Sequence, residues 1–225
     1  MATYVLIPGA ATSPWYWHLL EEELGRRGQD TVAVDIPCDD DSAGLAEYAD
    51  AVVTAIGERS DVILVAHSFG GFTAPLVCER VPVRLLVMLQ AQVPAPGESP
   101  GEWWGATGHE QARKEQDERD GGTPADETAL FLHQTPPDLA AQSQQHGRSQ
   151  SGTPFMKPWP LPAWPAVPTK VLLAKDDKFF PAVWLRELVR DRLGIEADEM
   201  PGDHNPMLSH PAELADRLEA YRAEL

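Results

Sequence analysis

Cysteine, basic side chains and long apolar runs are all scarce in this chain of 225 residues. Its two cysteines, Cys38 and Cys78, lie far apart and lack a CxxC or Cys/His spacing, which argues against a disulfide framework and against a metal site. Both read as small, reduced, partly buried side chains. Lys and Arg number 18 against 35 Asp and Glu, and the formal charge of −17 repels phosphate backbones and anionic lipid. Nucleic acid and membrane surfaces are therefore not expected as partners. No apolar stretch reaches spanning length, and residues Met1 to Gly9 carry no basic leader, so the expected location is cytoplasmic. No GxGxxG or GxxxxGK[ST] follows an apolar run, so no nucleotide cofactor is expected. Asp39, Asp40 and Asp41 lack the spaced oxygen ligands and glycine of a Ca²⁺ loop and read as charges ahead of a helix. There is no internal repeat and no signal for an oligomeric state.

Hydrophobic residues make up 43% of the chain and charged residues 24%, the proportions of a globular protein, and the length suits one domain over 1–225. Short apolar runs bounded by turn residues recur at Tyr4–Ile7, Thr31–Ile36, Val62–Ala66, Val83–Leu89, Thr169–Ala174 and, more weakly, Ile195–Met200. They suit buried parallel strands. Segments with helical spacing alternate with them, at Pro14–Arg27, Gly44–Arg59, Gly70–Arg80, Pro181–Leu193 and Pro211–Glu224. The expected fold is α/β, a doubly wound and mainly parallel sheet of about six strands.

The alternation fails between residues 94 and 168, where more than half of the 21 prolines fall. A non-strand insertion of that length between two strands is expected to be a short helical cap over the functional edge. Gly97–Gly101 and Asp120–Pro124 read as its flexible joints. Trp103, Trp104, Trp159 and Trp164 fit equally well as the lining of an apolar pocket and as a small core of the cap.

The most informative segment is Asp61-Val-Ile-Leu-Val-Ala-His-Ser68-Phe-Gly-Gly71, an apolar strand that meets a small-x-Ser-x-Gly turn and then a helix. A sharp turn of that kind exposes Ser68 and sets it over the free amides of a helix N-terminus. A serine hydroxyl is a weak nucleophile and needs a base that is itself oriented by a third group. Of seven histidines, His67 adjoins the serine and must point away, His18 lies in the first helix, and His109, His133 and His146 fall in the insertion. His210 stands beside Pro211 at a helix start. His204, in a turn after the last strand, is the candidate base. The acid should lie at a strand end between the two, where Asp176 and Asp177 are adjacent and the residues alone leave them nearly equal. Two backbone amides for an oxyanion come most simply from Phe69, after the serine, and Ala10, in the turn after the first strand.

These segments resemble the α/β-hydrolase superfamily, and within it the short-capped branch of plant methylesterases and hydroxynitrile lyases. The resemblance runs nearly end to end. It is carried by Leu6-Ile-Pro-Gly-Ala-Ala-Thr-Ser-Pro-Trp-Tyr-Trp17, Val65-Ala-His-Ser-Phe-Gly-Gly71, Ala174-Lys-Asp-Asp-Lys-Phe-Phe-Pro181 and Gly202-Asp-His-Asn-Pro206. In that family the acid sits three residues after a small residue and four before a proline, which selects Asp177. The chain departs from the family pattern at Pro8, where His is usual, and at Ala66, where the elbow usually has Gly. The first two family strands are absent. Gln90 and Gln92 stand where relatives more often place small or apolar residues, and Gln90, with Trp103, Trp104 and Trp159, is taken as a candidate substrate contact. The resemblance implies a cofactor-free serine hydrolase of a small neutral ester, lactone or related acyl compound. Its alternatives are a lyase on the same triad, for which Lys157 would be the cap lysine, and a slow-turnover binding protein or receptor.

Overall fold

The computed structural model describes residues 1–225. Six strands, β1 (Thr3–Ile7), β2 (Asp30–Ala33), β3 (Val62–His67), β4 (Leu85–Leu89), β5 (Thr169–Ala174) and β6 (Asp198–Met200), form one sheet. Their order is β2-β1-β3-β4-β5-β6, and every neighbouring pair is parallel. A parallel sheet must be covered on both faces, which is why β1, β3 and β4 are buried along their whole length instead of alternating with polar residues. The two-residue period then sorts their side chains. Val5, Ile7, Leu64 and Ala66 pack on one face against α2 (Leu45–Ile56), α3 (Gly70–Cys78) and α8 (Ala182–Leu193). Tyr4, Leu6, Ile63 and Val65 pack on the other, against α1 (His18–Arg26), α9 (Pro206–Ser209) and α10 (Pro211–Ala223).

The edge strands are shorter than their apolar runs. Expected pairing over Thr31–Ile36 ends at Ala33, and that over Ile195–Met200 begins only at Asp198. An edge strand bonds on one side only, and Pro37 turns the chain away from β1 soon after Val34. Chain order reverses at β1 and β3: the path from β1 moves outward to β2, then returns across to β3. In open α/β sheets the crevice beyond the carboxyl ends of such strands is where ligands bind. No helix is long and apolar enough to cross a membrane.

Four helices, α4 (Pro100–Ala106), α5 (His109–Asp120), α6 (Glu127–Phe131) and α7 (Pro137–Gln145), lie between β4 and β5. Polar ties hold this segment to the sheet at three places. Near its start, Arg192 bonds Glu98 through both carboxylate oxygens, at 2.6 and 2.8 Å, and Val93 O at 2.7 Å. Near its end, Arg148 reaches Asp35 and Asp39, while Ser151 donates to Asp41. In the middle, the wholly buried Asp203 accepts from the Gln134 and Thr135 amides and the Thr135 hydroxyl, each at 3.0 Å. The expected joint at Gly97–Gly101 is thus not a loose one: the Glu98 ion pair and a Ser99–Glu102 capping box fix it. The acidic run at 39–41 serves these ties as well as the turn ahead of α2, where Asp40 accepts from Ser42.

Candidate active site

The chain leaves β3 through a turn whose tightness explains its composition. Ser68 sits at φ 50°, a left-handed conformation that costs a non-glycine residue roughly 1–3 kcal/mol. Its amide bonds Leu89 O and its carbonyl accepts from the Gly71 and Gln92 amides. A Cβ on Gly70 would lie 2.9 Å from Pro8 O, and one on Gly71 would lie 2.0 Å from Gln92 O. A Cβ on Gly9 would meet both Ser68 Cβ and His67 Nδ1 at 3.0 Å. The three glycines therefore let the loop after β1 and the chain after β4 close directly on the serine.

Three side chains from three different loops meet there. His204 Nε2 lies 3.1 Å from Ser68 Oγ, and His204 Nδ1 lies 2.7 Å from Asp177 Oδ2. A carboxylate accepts, so Nδ1 carries the proton and Nε2 is free to take one from the serine. All three residues are buried. The choice between the adjacent acids falls on Asp177, since Asp176 instead accepts from the Gly202 amide at 3.3 Å. The Ala10 and Phe69 amides flank the serine in the cleft and donate to no group of the protein. Ala11, at φ 58°, turns that loop, and Gln150 and Arg148 hold it through the Ala11 amide and carbonyl.

Asp177 is held more fully than a lone partner of His204 would be. Its Oδ1 accepts from the Phe179 amide at 2.6 Å, and its Oδ2 accepts a second bond, from Gln90 Nε2 at 2.7 Å. Gln90 also donates to Phe180 O and accepts from the Ala174 amide at 2.8 Å, so its carboxamide is locked in one orientation. Gln90 is therefore not a substrate contact, as the sequence pattern suggests. It is fully buried under Asp177 and positions that carboxylate. Its φ of 45° ends β4 and turns the side chain from the sheet edge toward β5.

His67 does point away from the serine, but toward the base: its Nε2–H donates to His204 O at 2.8 Å. Burial holds its pKa well below the usual imidazole value, with the neighbouring His204 adding to the effect, so this bond is made by a neutral ring. His109 Nε2–H likewise donates to Phe179 O, and Gln116 donates to Asp177 O, so α5 steadies the acid's loop. Phe131, Phe179 and Phe180 surround the His204 ring, the last two at near-perpendicular angles of 87° and 89°. They shield it from water.

The cleft above the serine has a volume of about 590 Å³. Its inner walls are Trp104, Phe131, Leu132, Phe155 and Phe179, and its outer part is polar, with Glu127, Gln144 and Arg148. Of the four tryptophans of the segment, only Trp104 reaches this space. Trp103 and Trp159 are buried in the core, their indole N–H groups bonded to Val93 O and Phe72 O, so neither is a pocket residue. Trp164 packs beside Trp159 and donates to Thr169. Phe131, Phe155 and Phe179 were not legible as lining because their positions depend on how the segment folds back.

Comparison with known proteins places nearly the whole chain in a family of known fold. The model of a family described as "Alpha/beta hydrolase family" matches residues 4–217. A probable esterase of Oryza sativa subsp. indica is 30% identical over 254 residues, covering 96% of this chain and 94% of its own. Methylesterase 1 of Arabidopsis thaliana is 24% identical, covering 95% and 93%. The crystal structure of polyneuridine aldehyde esterase superposes with a TM-score of 0.79 at 19% identity, over 99% of both chains, a likeness of fold. The chain belongs to the alpha/beta hydrolase family.

Proposed function

We propose that this α/β hydrolase cleaves a small neutral carboxylic ester through an acyl-enzyme, with Ser68 as nucleophile, His204 as general base and Asp177 as its orienting acid. The observation that carries this reading is the unbroken chain from Ser68 Oγ to His204 Nε2 at 3.1 Å and from His204 Nδ1 to Asp177 Oδ2 at 2.7 Å, at the floor of the cleft. The esterases and methylesterases among the relatives support the same substrate class. Ser68 Oγ adds to the ester carbon while His204 Nε2 takes its proton, and the carbonyl oxygen becomes an oxyanion held by the Ala10 and Phe69 amides. Collapse breaks the bond to the alcohol oxygen, which takes the proton from His204. Water, deprotonated by the same imidazole, then releases the acid and restores Ser68. The segment 94–168 acts as the cap that closes this cleft, and the partner of the site is a small molecule.

A cleft of this volume takes a substrate larger than a simple acetate, and its aromatic inner walls favour an aryl or alicyclic group. The lyase alternative has less support than hydrolysis, since Lys157 is exposed and no lysine lines the cleft. The test is labelling with a fluorophosphonate probe together with turnover of aryl esters. Wild type is expected to label and to hydrolyse, and Ser68→Ala to do neither while keeping its fold, since the change deletes one hydroxyl. Labelling of Ser68→Ala at the wild-type rate would refute Ser68 as nucleophile.

A further inference from the structure

His204 stands in the loop between β6 and α9, where its main chain has almost no support. The His204 amide donates to no group of the protein, and its carbonyl accepts a single bond, from His67 Nε2–H at 2.8 Å. Two adjacent residues thus grip the base at both ends. Ser68 Oγ meets the ring at Nε2, 3.1 Å away, and His67 meets the main chain. Along a strand successive side chains point to opposite faces, so neighbours do not reach a common target. Here they do, because the left-handed turn at Ser68, with φ 50°, breaks the alternation at the end of β3.

The His67 ring is itself fixed. It stands edge-on to the buried Trp17, with ring centroids 6.2 Å apart, and Gly9 closes on its other nitrogen, where a Cβ would lie 3.0 Å from Nδ1. Its centroid lies only 4.9 Å from that of His204, so a charge on His67 would oppose the imidazolium that forms on the base during the reaction. Burial keeps His67 neutral, and the grip comes without that charge. For stability alone an apolar side chain would fill the same place, since a buried hydrogen bond gains little net over solvation. Placement of a reacting group is more demanding: an error of about 1 Å costs roughly 10²-fold in rate.

We infer that His67 is a positioning residue, whose bond to His204 O sets the distance between His204 Nε2 and Ser68 Oγ and thereby the rate at which the serine proton is taken. This deepens the ester-hydrolase reading and rests on it for the reaction. Asp177 and Gln90 orient the imidazole from β5 and β4, through Nδ1. His67 acts from β3 on the main chain, and fixes where the loop carries the ring. Both acylation and deacylation pass a proton through His204, so both steps depend on this bond.

The test compares His67→Gln, His67→Met and His67→Asn on an aryl ester, with urea midpoints to show that each variant is folded under the assay conditions. Glutamine carries an N–H donor about where the imidazole Nε2 lies, methionine has the length without the donor, and asparagine has a donor too short to reach His204 O. The kcat of His67→Gln is expected within about fivefold of wild type, and that of His67→Met and His67→Asn to fall roughly 10²-fold, with KM changed little in all three. Equal losses in the glutamine and methionine variants, or a loss carried by KM, would overturn the inference. Should His67→Met fail to fold, His67→Asn against His67→Gln makes the same decision. The rate of fluorophosphonate labelling depends on the Ser68–His204 pair and needs no ester, so it is expected to follow the same order; labelling rates alike in the three variants also overturn the inference. If wild type labels but hydrolyses no ester, the labelling order still decides the role of His67, and the ester-hydrolase reading alone falls.

Discussion

Asp177→Asn separates the carboxylate's charge from its shape, and the hydrogen bonds around it set the cost to both stability and rate. Asp177 is 1% exposed and accepts three bonds, one on Oδ1 from the Phe179 amide and two on Oδ2 from His204 and Gln90. Asparagine offers one oxygen and one amide, so one of its ends must face a donor. If the amide faces Gln90 and His204, it meets the Gln90 Nε2–H, which cannot turn because Gln90 Oε1 is committed to the Ala174 amide. His204 is then forced into the tautomer with its proton on Nε2, where it cannot take one from Ser68. If the oxygen faces them, the new amide opposes the Phe179 N–H, and no negative charge remains to stabilise the imidazolium. Either way one buried donor is left opposed, at about 1–3 kcal/mol of stability. The chemical step is also crippled, by roughly 10⁴-fold in a comparable triad, or about 5.5 kcal/mol. Initial rates on a nitrophenyl ester and urea denaturation midpoints measure the two effects on the same variant. Asp176→Asn is the control, since its carboxylate makes only the long bond to Gly202. Activity of Asp177→Asn within tenfold of wild type, or a comparable loss in Asp176→Asn, would refute the reasoning.

Acid should weaken the fold through buried histidines. His67, His109 and His133 all have pKa values lowered by burial, so as the pH falls below about 6.5 the unfolded chain binds protons that the folded chain refuses. Stability is full above that value and declines below it, by roughly 1.4 kcal/mol per pH unit from His67 alone. Denaturation midpoints at pH 7.5, 6.5 and 5.5 should show a shallower decline in His67→Gln, and parallel slopes would contradict the assignment. Asp203→Asn should cost about 3 kcal/mol, because one oxygen cannot serve the five donors of Gln134, Thr135, Asn205 and Ser209 that converge on the carboxylate. Limited proteolysis of wild type should begin at the exposed 121–126 connection, and faster there in Asp203→Asn. A first cut within 62–77 or 97–101 would show that the polar ties do not hold the segment as described.

The legible part of the fold came from local chemistry. A parallel strand buried on both faces must be apolar throughout, so β1, β3, β4 and β5 stood out as runs, and turn residues bounded them. The elbow at Ser68 was legible because close backbone approach demands small residues, and Gly70 and Gly71 are where a Cβ would strike Pro8 O and Gln92 O. His204 was marked by its place after the last strand. Between Asp176 and Asp177 local chemistry was silent, and family resemblance made the choice.

The distances that bind Ser68, His204 and Asp177 belong to three loops far apart in the chain, and only the stacking of the parallel strands brings their carboxyl ends to one edge. The same holds for the residues whose roles the sequence did not reveal. Gln90 and Gln92 are alike in type and neighbourhood, yet one is saturated by Asp177, Phe180 and Ala174 while the other leaves its buried amide nitrogen unpaired. Trp103 and Trp104 are adjacent, but their successive positions on α4 direct one into the core and the other to the cleft. Residue type and spacing determined which elements form and which groups can react, because those depend on near neighbours in the chain. Which donor finds an acceptor, and which aromatic meets the substrate, depends on groups brought together only by tertiary packing, and the structure alone decided it.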